Sequence, residues 1–310
     1  MAVEQAELKR HCSDVLARME RGSVVPFLGA GANRCGRPEE APWSRDTYLP
    51  DGAELATHFA TTYGYPGPDT WDLGRVSQFV ELELREMALY TDLREIFTGG
   101  YQPTVLHRFL AELPETMREN GKPPPFQLLV TTNYDDALER AFEDAGQDFD
   151  LVYYAAATDQ EPGQFVHVVD GKRVRVTQQY RKLLVEDRPV ILKIHGAVNR
   201  ADETGETDSY VITEDNYIDY LARSNIEKLI PASLMSKMRT SHFLFLGYGM
   251  RDWNLRVILK HIWAEQRRRG VSWAIQHKAD EIDRKFWQRE GVDIAIVDLD
   301  RWVDAMRAQV

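Results

Sequence analysis

The feature that most constrains this chain is a set of short apolar runs that each end abruptly at a glycine or a polar residue. They read VVPFLGAGA at 24–32, QLLVTTN at 127–133, VILKIHG at 190–196 and HFLFLGYG at 242–249. Short runs rich in Val, Ile, Leu and Phe are typical of strands that are buried on both faces. Because segments with helical spacing separate these runs, the sequence predicts an α/β, Rossmann-like fold: a mostly parallel sheet with helices on both faces.

The predicted elements alternate along the whole chain. Helices are predicted at 4–20, 53–63, 72–97, 104–113, 134–145, 214–222, 226–239, 252–268 and 279–289, with a short helix at the end. Strands are predicted at 23–28, 126–132, 151–155, 190–196, 242–247, 271–276 and 293–299, with a β-hairpin at 164–177 that turns at Asp170-Gly171. We expect one domain over 1–310, with helical insertions or a cap near 53–113 and 214–239.

Charge disfavours several classes of partner. The chain has 310 residues and a net charge of −11, whereas affinity for nucleic acid or an anionic membrane needs clustered Lys and Arg. One basic cluster, Arg267-Arg268-Arg269, falls near the end of a predicted helix, where cations complement the helix dipole. No apolar stretch approaches the roughly 20 residues that a membrane span needs. We therefore expect neither a nucleic-acid nor a membrane partner.

Cysteine content and the N-terminus point to a metal-free cytoplasmic protein. Cys12 and Cys35 are the only two cysteines, too few for a four-thiolate zinc site or a disulfide framework. The N-terminal stretch MAVEQAELKRHC lacks the apolar core of a signal peptide. A reducing cytoplasm without a bound metal is the expectation.

Four polar or glycine-rich segments share one position, directly after a predicted strand. They are Gly29-Ala30-Gly31, Asn133, His195 and Gly247-Tyr248-Gly249. Each has an ordinary structural explanation: glycines serve turns, Asn133 stands at N-cap spacing before a helix, and His195 is a hydrogen-bonded structural histidine. Together they fit a ligand site, because ligands of open α/β sheets bind at the carboxyl ends of the strands.

The first glycine loop excludes two nucleotide-binding motifs. A dinucleotide fingerprint needs a third glycine three residues after the second, at the start of a helix. Here Gly31 is followed next by Gly36, and the prolines of 32–52 oppose a helix. The lysine of a phosphate-binding P-loop is also missing. A long loop after the glycines is expected instead, and a hydride-transfer dehydrogenase and a kinase-like NTPase are disfavoured.

The ordered motifs resemble those of the sirtuins. GAGA at 29–32, TTNYD at 131–135, IHG at 194–196 and GYG at 247–249 occur in the family's order. YVITEDNYIDYL at 210–221 and GYGMRDWNL at 247–255 are similar to the bacterial sirtuin-like proteins that hydrolyse NAD in antiphage defence. The resemblance covers about 23–299. It implies an NAD-binding α/β fold with NAD as the substrate.

The resemblance assigns roles at the nicotinamide end of NAD. Asn133 matches the catalytic asparagine that holds the nicotinamide ribose and orders a water. Asp135 matches the acid that contacts the nicotinamide amide. His195 matches the catalytic base, which acts on a ribose hydroxyl or on the attacking nucleophile. An imidazole suits this role because it titrates near neutral pH.

The resemblance also assigns residues along the rest of the dinucleotide. Gly29, Ala30, Gly31 and Ala32 would bind the pyrophosphate through backbone N–H groups, and Asn33 is expected beside them among the residues that contact NAD. Gly247, Tyr248 and Gly249 resemble the loop under the adenosine ribose. Asp298 is expected at the adenine end.

Departures from the sirtuin pattern favour water as the nucleophile. Sirtuin deacylases carry a four-cysteine zinc ribbon after the His-Gly motif and a Phe-Gly-Glu stretch that helps to hold the acyl-lysine. Here no cysteine follows Cys35, and His195-Gly196 leads into the polar loop AVNRADETGETDSY. We expect an NAD glycohydrolase that releases nicotinamide and ADP-ribose. The alternatives are a protein deacylase or ADP-ribosyltransferase, and a non-enzymatic NAD or ADP-ribose sensor.

An NAD-depleting enzyme needs control, and the sequence shows no second sensing domain. We expect a homo-oligomer, closure of the helical insertions, or an activating partner. By resemblance, that partner is a translocase-type ATPase or an Argonaute-like sensor. The predicted helix at 72–97 suits an assembly surface, and a solvated face explains its charges equally well.

Overall fold

The computed structural model describes residues 2–45, 47–84, 86–125, 128–156, 162–183, 185, 188–222, 229–250, 253–263 and 271–310. Parts of several predicted elements, at 85, 126–127, 226–228, 252 and 264–268, lie outside the described residues. The arginine cluster 267–269 lies outside them as well. None of the described helices is both long and apolar enough to cross a bilayer.

A single sheet of nine strands forms the centre of the molecule, in the order β5-β4-β3-β6-β2-β1-β7-β8-β9. The strands are β1 Val24–Leu28, β2 Leu128–Thr131, β3 Asp150–Ala155, β4 Gln164–Val169, β5 Lys172–Val176, β6 Val190–Lys193, β7 His242–Leu246, β8 Ser272–Gln276 and β9 Val292–Ile296. Only the β4–β5 hairpin adds antiparallel pairs. Its turn residues Asp170 and Gly171 both have positive φ, as a tight two-residue hairpin turn requires. The predicted α/β Rossmann-like fold is confirmed.

Eleven described α-helices connect these strands. They are α1 Ala2–Met19, α2 Gly52–Tyr63, α3 Leu73–Leu84, α4 Glu86–Phe97, α5 Val105–Glu119, α6 Ala137–Asp144, α7 Glu214–Ala222, α8 Ala232–Thr240, α9 Trp253–Trp263, α10 Glu281–Arg289 and α11 Leu299–Arg307. The single helix predicted at 72–97 is described as two, α3 and α4. Helix α5 continues past its predicted end at 113, because Leu113 and Met117 on either side of Pro114 are buried in the core.

Strand alternation gives the sheet two apolar faces. In β1, Val25 and Phe27 pack in one cluster with α8, α9 and α10, whereas Val24 and Leu28 pack in another with α1, α5, α6 and α11. Successive strand side chains point to opposite faces, so a central strand must be apolar throughout. This explains why β1, β2, β6 and β7 read as almost entirely apolar runs in the sequence, with Lys193 at the end of β6 as a charged exception.

A third apolar cluster joins α2, α3 and α4 to the edge of the sheet where the strands end. Phe59, Val80 and Phe97 from these helices pack with Tyr134 and Tyr210 from the core. We call residues 52–97 the helical cap. Helices α5 and α8, which the sequence placed in insertions, pack directly on the two faces of the sheet. One domain over 1–310 stays a prediction.

Helix α5 begins with a capping box that contains a buried histidine. Thr104 Oγ1 accepts a hydrogen bond from the His107 N–H, and the Thr104 N–H donates to His107 Nδ1 at 3.2 Å. The pKa of His107 is lowered to about 4, chiefly by burial; the Asp135 carboxylate opposes this shift and the Lys193 ammonium adds to it. The folded protein therefore holds this imidazole neutral at pH values where the unfolded chain takes up a proton.

We expect His107→Gln to reduce the loss of stability in mild acid. Gln at this position can keep the capping box but does not titrate. The His107 contribution is complete above pH 6.5 and is lost as the pH falls towards 4, because only the unfolded state binds the proton in that window. Urea unfolding at pH 7.5 and pH 5.0 should show that the variant loses roughly 2 kcal/mol less than the wild type between the two values. The control is His261→Gln, at an exposed position, which should lose as much stability as the wild type. An equal loss of stability in His107→Gln and in the wild type would contradict the prediction.

Candidate functional site

Four neighbouring parallel strands bring the sequence-predicted site residues together. Strands β6, β2, β1 and β7 are adjacent in that order, and Gly29, Asn133, His195 and Gly247 each follow the end of one of them. The segments enclose a cavity of about 390 Å³. The predicted site residues that line it are Gly29, Ala30, Gly31, Asn33, Asn133, Asp135, His195, Gly247, Tyr248 and Gly249. The cavity lies at the edge of the sheet where α/β proteins bind their ligands.

The two glycine loops contact each other through their backbones. The Gly31 N–H donates to the Gly247 carbonyl at 2.8 Å, and the Gly29 N–H donates to the Leu246 carbonyl at 3.1 Å. A Cβ on Gly31 would lie 2.6 Å from the Gly247 oxygen. A Cβ on Gly247, which has a φ of +64°, would lie 2.1 Å from the Ala32 nitrogen. The glycines are thus required by this loop contact, a reason that the sequence alone did not reveal.

Most of the backbone amides at 29–32, which the sequence predicted to bind pyrophosphate, already donate hydrogen bonds within the protein. The Gly29, Gly31 and Ala32 N–H groups donate to carbonyls of the protein itself. Ala32 is fully buried in the core and lies within a short 3-10 helix, Ala30–Arg34, where the sequence predicted only a loop. Pyrophosphate binding at this loop stays a prediction, and it now depends most on Ala30, which lines the cavity.

Asn133 does not cap a helix. Helix α6 begins at Ala137 with Asp136 as its N-cap residue, so the alternative prediction that Asn133 is an N-cap residue is wrong. Its Nδ2 lies 3.4 Å from the Gly29 carbonyl and 3.5 Å from Asn33 Oδ1. Among the described residues, no donor reaches the buried Asn133 Oδ1. A buried acceptor without a donor is costly, and a hydroxyl bound in the cavity would satisfy it.

Asn33 links the first glycine loop to Asp135. Its Nδ2 donates to Asp135 Oδ2 at 3.1 Å and to the Pro50 carbonyl at 3.3 Å. The other carboxylate oxygen of Asp135 accepts the Ala137 N–H at 3.1 Å. Both side chains are almost completely buried. Asn33 therefore orients Asp135 as well as lining the cavity.

His195 lies between two tyrosines of α7. The centroid of its ring is 5.4 Å from that of Tyr217 and 5.7 Å from that of Tyr220, with both pairs close to perpendicular. Tyr217 also lines the cavity. These two tyrosines were not predicted as site residues, although their spacing within YVITEDNYIDYL places both on one face of a helix. They fix the imidazole ring and form an apolar wall beside it.

A second cavity of about 740 Å³ adjoins the first through Gly31, Asp51 and residues 247–249. Asp298 lines this second cavity and hydrogen-bonds to His277 Nδ1. Gln276, which the sequence analysis did not single out, donates from Nε2 to the Tyr248 carbonyl at 2.8 Å. The two cavities run from His195 to Asp298, the order in which the resemblance placed the two ends of NAD.

No group of three or more His, Cys, Asp or Glu side chains suited to a metal occurs within the described ranges. The absence of a metal from the working protein stays a prediction.

Residues 127–295 match the family described as the SIR2-like domain, more than half of the chain. The chain belongs to the SIR2-like family. The predicted resemblance is therefore confirmed, and the matched SIR2-like region includes β2, β6 and β7 with the loops that carry Asn133, His195 and Gly247.

Curated relatives of this SIR2-like chain are named NAD(+) hydrolase ThsA. The protein from Enterococcus faecium is 24% identical over 266 residues, which cover 84% of this chain and 44% of the relative. The protein from Cytobacillus dafuensis is 28% identical over 167 residues, 54% of this chain and 25% of the relative. The protein from Acinetobacter baumannii is 28% identical over 162 residues, 52% of this chain and 25% of the relative. The chain thus spans less than half the length of these relatives.

We expect Gly247→Ala to destabilise the protein by about 2–4 kcal/mol, because the added Cβ meets the Ala32 backbone and the left-handed conformation disfavours alanine. Gly249→Ala is the matched control, since a Cβ there meets nothing within 4 Å. Its unfolding free energy should stay within about 1 kcal/mol of the wild type. Urea unfolding followed by circular dichroism distinguishes the two, and equal effects would show that the loop contact is not tight.

Proposed function

We propose that this chain hydrolyses NAD, releasing nicotinamide and ADP-ribose. The observation that carries the proposal is the joint placement of Asn133 and His195 on one cavity, with a buried Asn133 oxygen that no donor among the described residues reaches. The adjoining cavity of about 740 Å³ extends the site from His195 to Asp298. The name shared by the three curated relatives supports the same chemistry.

The chemistry needs only a few groups from the protein. Breaking the bond between ribose and nicotinamide leaves positive charge on the sugar, as in other glycosyl transfers. Asn133 Oδ1 is suited to accept a hydrogen bond from a ribose hydroxyl and so to hold the sugar. His195 is suited to accept a proton from a hydroxyl or from the attacking water, since a neutral imidazole has one acceptor nitrogen. Asp135, held by Asn33, is suited to bind the nicotinamide amide.

The polar loop after His195-Gly196 supports water as the nucleophile. The His195 carbonyl accepts the Val211 N–H, and the Ala197 carbonyl accepts the Ser209 N–H, both at 2.9 Å. The Val198 N–H donates to the Tyr134 carbonyl at 2.9 Å. These backbone groups would otherwise be available to pair with an extended peptide beside His195. The protein deacylase alternative is therefore disfavoured against hydrolysis.

Control of the activity belongs to the same proposal. A role in antiphage defence, a homo-oligomeric state, and activation by a translocase-type ATPase or an Argonaute-like sensor all stay predictions, as does a cytoplasmic location. The helical cap is the candidate surface for assembly. It carries two exposed large apolar side chains, Trp71 at 64% and Leu82 at 74% exposure.

We expect His195→Ala and Asn133→Ala each to lower NAD hydrolysis by about 10²–10⁴-fold, since each removes a group that acts on the ribose or the nucleophile. The purified protein is incubated with NAD, and nicotinamide release is followed by chromatography. His261→Ala and Asn120→Ala, at exposed positions outside the cavity, serve as matched controls and should keep the wild-type rate.

The outcomes separate the alternatives. Wild-type rates in either site variant would show that the site is assigned wrongly. Nicotinamide release that requires an acyl-lysine peptide would establish a deacylase instead. NAD binding without cleavage, with and without peptide, would support a sensor.

A further inference from the structure

A lysine is completely buried at the end of β6, two residues before His195. The Lys193 side chain is 0% exposed. It is the only charged residue in the strand VILK, and it faces the layer that contains α6 rather than the solvent. A buried ammonium group is expensive unless its donors are all engaged, so its partners show what it does.

Lys193 joins three elements of the site. Its Nζ donates to Glu139 Oε1 at 2.6 Å, in the first turn of α6. It also donates to the backbone carbonyl of Asp135, in the loop between β2 and α6. The Lys193 backbone itself pairs in register with Thr131 at the end of β2. Through its backbone Lys193 joins β6 to the end of β2, where the loop that carries Asn133 and Asp135 begins, and through its ammonium group it binds the Asp135 carbonyl and Glu139 at the other end of that loop.

The electrostatic setting does not favour a lysine for packing alone. A cation near the N-terminus of α6 opposes the helix dipole. Burial raises the pKa of Glu139, and the attraction of Lys193 only partly offsets this rise. An apolar pair of similar volume avoids both costs, and such replacements of buried ion pairs are often neutral or stabilising. What an apolar pair cannot supply is a donor for the Asp135 carbonyl.

We propose that Lys193 is a positioning residue that fixes the loop 133–135 through the Asp135 carbonyl and thereby aligns Asn133 and Asp135 at the nicotinamide end of the cavity. Lys193 does not line that cavity, so its effect passes through Asp135. This inference rests on the proposed NAD hydrolysis. It adds a residue that contacts no substrate yet sets the geometry for binding nicotinamide and for cleavage.

The test compares Lys193→Met and the double variant Lys193→Met/Glu139→Gln with the wild type. The double variant removes both charges, so it avoids an unpaired buried carboxylate if the single variant fails to fold. Lys237→Met is the matched control, because Lys237 Nζ donates to the Gly22 carbonyl at 2.6 Å near the opposite edge of the sheet. Melting temperature, kcat and KM for NAD are measured for each. Calorimetry with NAD and with ADP-ribose is then done in a His195→Ala background, where turnover is suppressed.

We expect the double variant to fold, to lose at least tenfold in kcat, and to bind NAD at least tenfold more weakly, with a clearly smaller loss of affinity for ADP-ribose. ADP-ribose keeps the ribose that Asn133 holds but lacks the nicotinamide that Asp135 contacts, so a larger loss for NAD than for ADP-ribose identifies the loop 133–135 rather than general damage. Equal losses for both ligands, or wild-type kcat and affinities, would overturn the inference and leave the proposed function standing. A wild-type protein that neither binds nor cleaves NAD would overturn both.

Discussion

The site depends on the backbone contact between the loop after β1 and the loop after β7. The Gly31 N–H and the Gly247 carbonyl join the two loops directly, without side chains between them. This contact forms because β1 and β7 pair in parallel over their whole length. At one end Val24 lies opposite His242, and at the other Leu28 lies opposite Leu246. The rest of the site is arranged around it, since the Gly29 carbonyl lies next to Asn133 and Asn33 follows within the same short helix.

The sequence predicted the sheet and the edge at which the site lies, because both follow from local pattern. A strand run such as VVPFL is apolar on both faces, and parallel strands place all their carboxyl ends at one edge. From this alone Asn133, His195 and the two glycine loops were expected to meet, and the structure places them on one cavity.

What the sequence could not supply was the reason for particular residues. The glycines at 29 and 31 were attributed to the pyrophosphate and Gly247 to the loop under the adenosine ribose, yet all three are required by a contact between positions more than 200 residues apart. Asn133 had N-cap spacing, but the chain makes one further turn before α6 begins at Ala137. Lys193, like the spacing of Tyr217 and Tyr220, was a visible signal that the sequence analysis did not use. A charge inside a run of buried-strand residues indicates a buried partner, and Glu139 is that partner.

Arg200 links the helical cap to Asp136, the residue that directly follows the loop 133–135. Arg200 donates to both carboxylate oxygens of Asp136, at 2.6 and 3.0 Å, and to the carbonyls of Phe97, Thr98 and Gly99 at the end of α4. An ion pair this exposed contributes about 0–1 kcal/mol to stability, so Arg200 does little to hold the cap in place. Its main structural role is to bind the carbonyls at the end of α4.

The cap is held mainly by burial of its aromatic side chains. Phe97 packs on Tyr134, next to Asn133, and on the fully buried Tyr210. Exposing an aromatic side chain of this size costs about 1.5–3 kcal/mol each, so lifting the cap would expose several such groups and would be rare in the isolated chain. Any regulator that acts through the cap must therefore bind its open and closed arrangements with different affinity, because a ligand shifts such an equilibrium only by that difference. Phe97 lines the cavity and packs on Tyr134, so movement of α4 reaches the nicotinamide end of the site by direct contact.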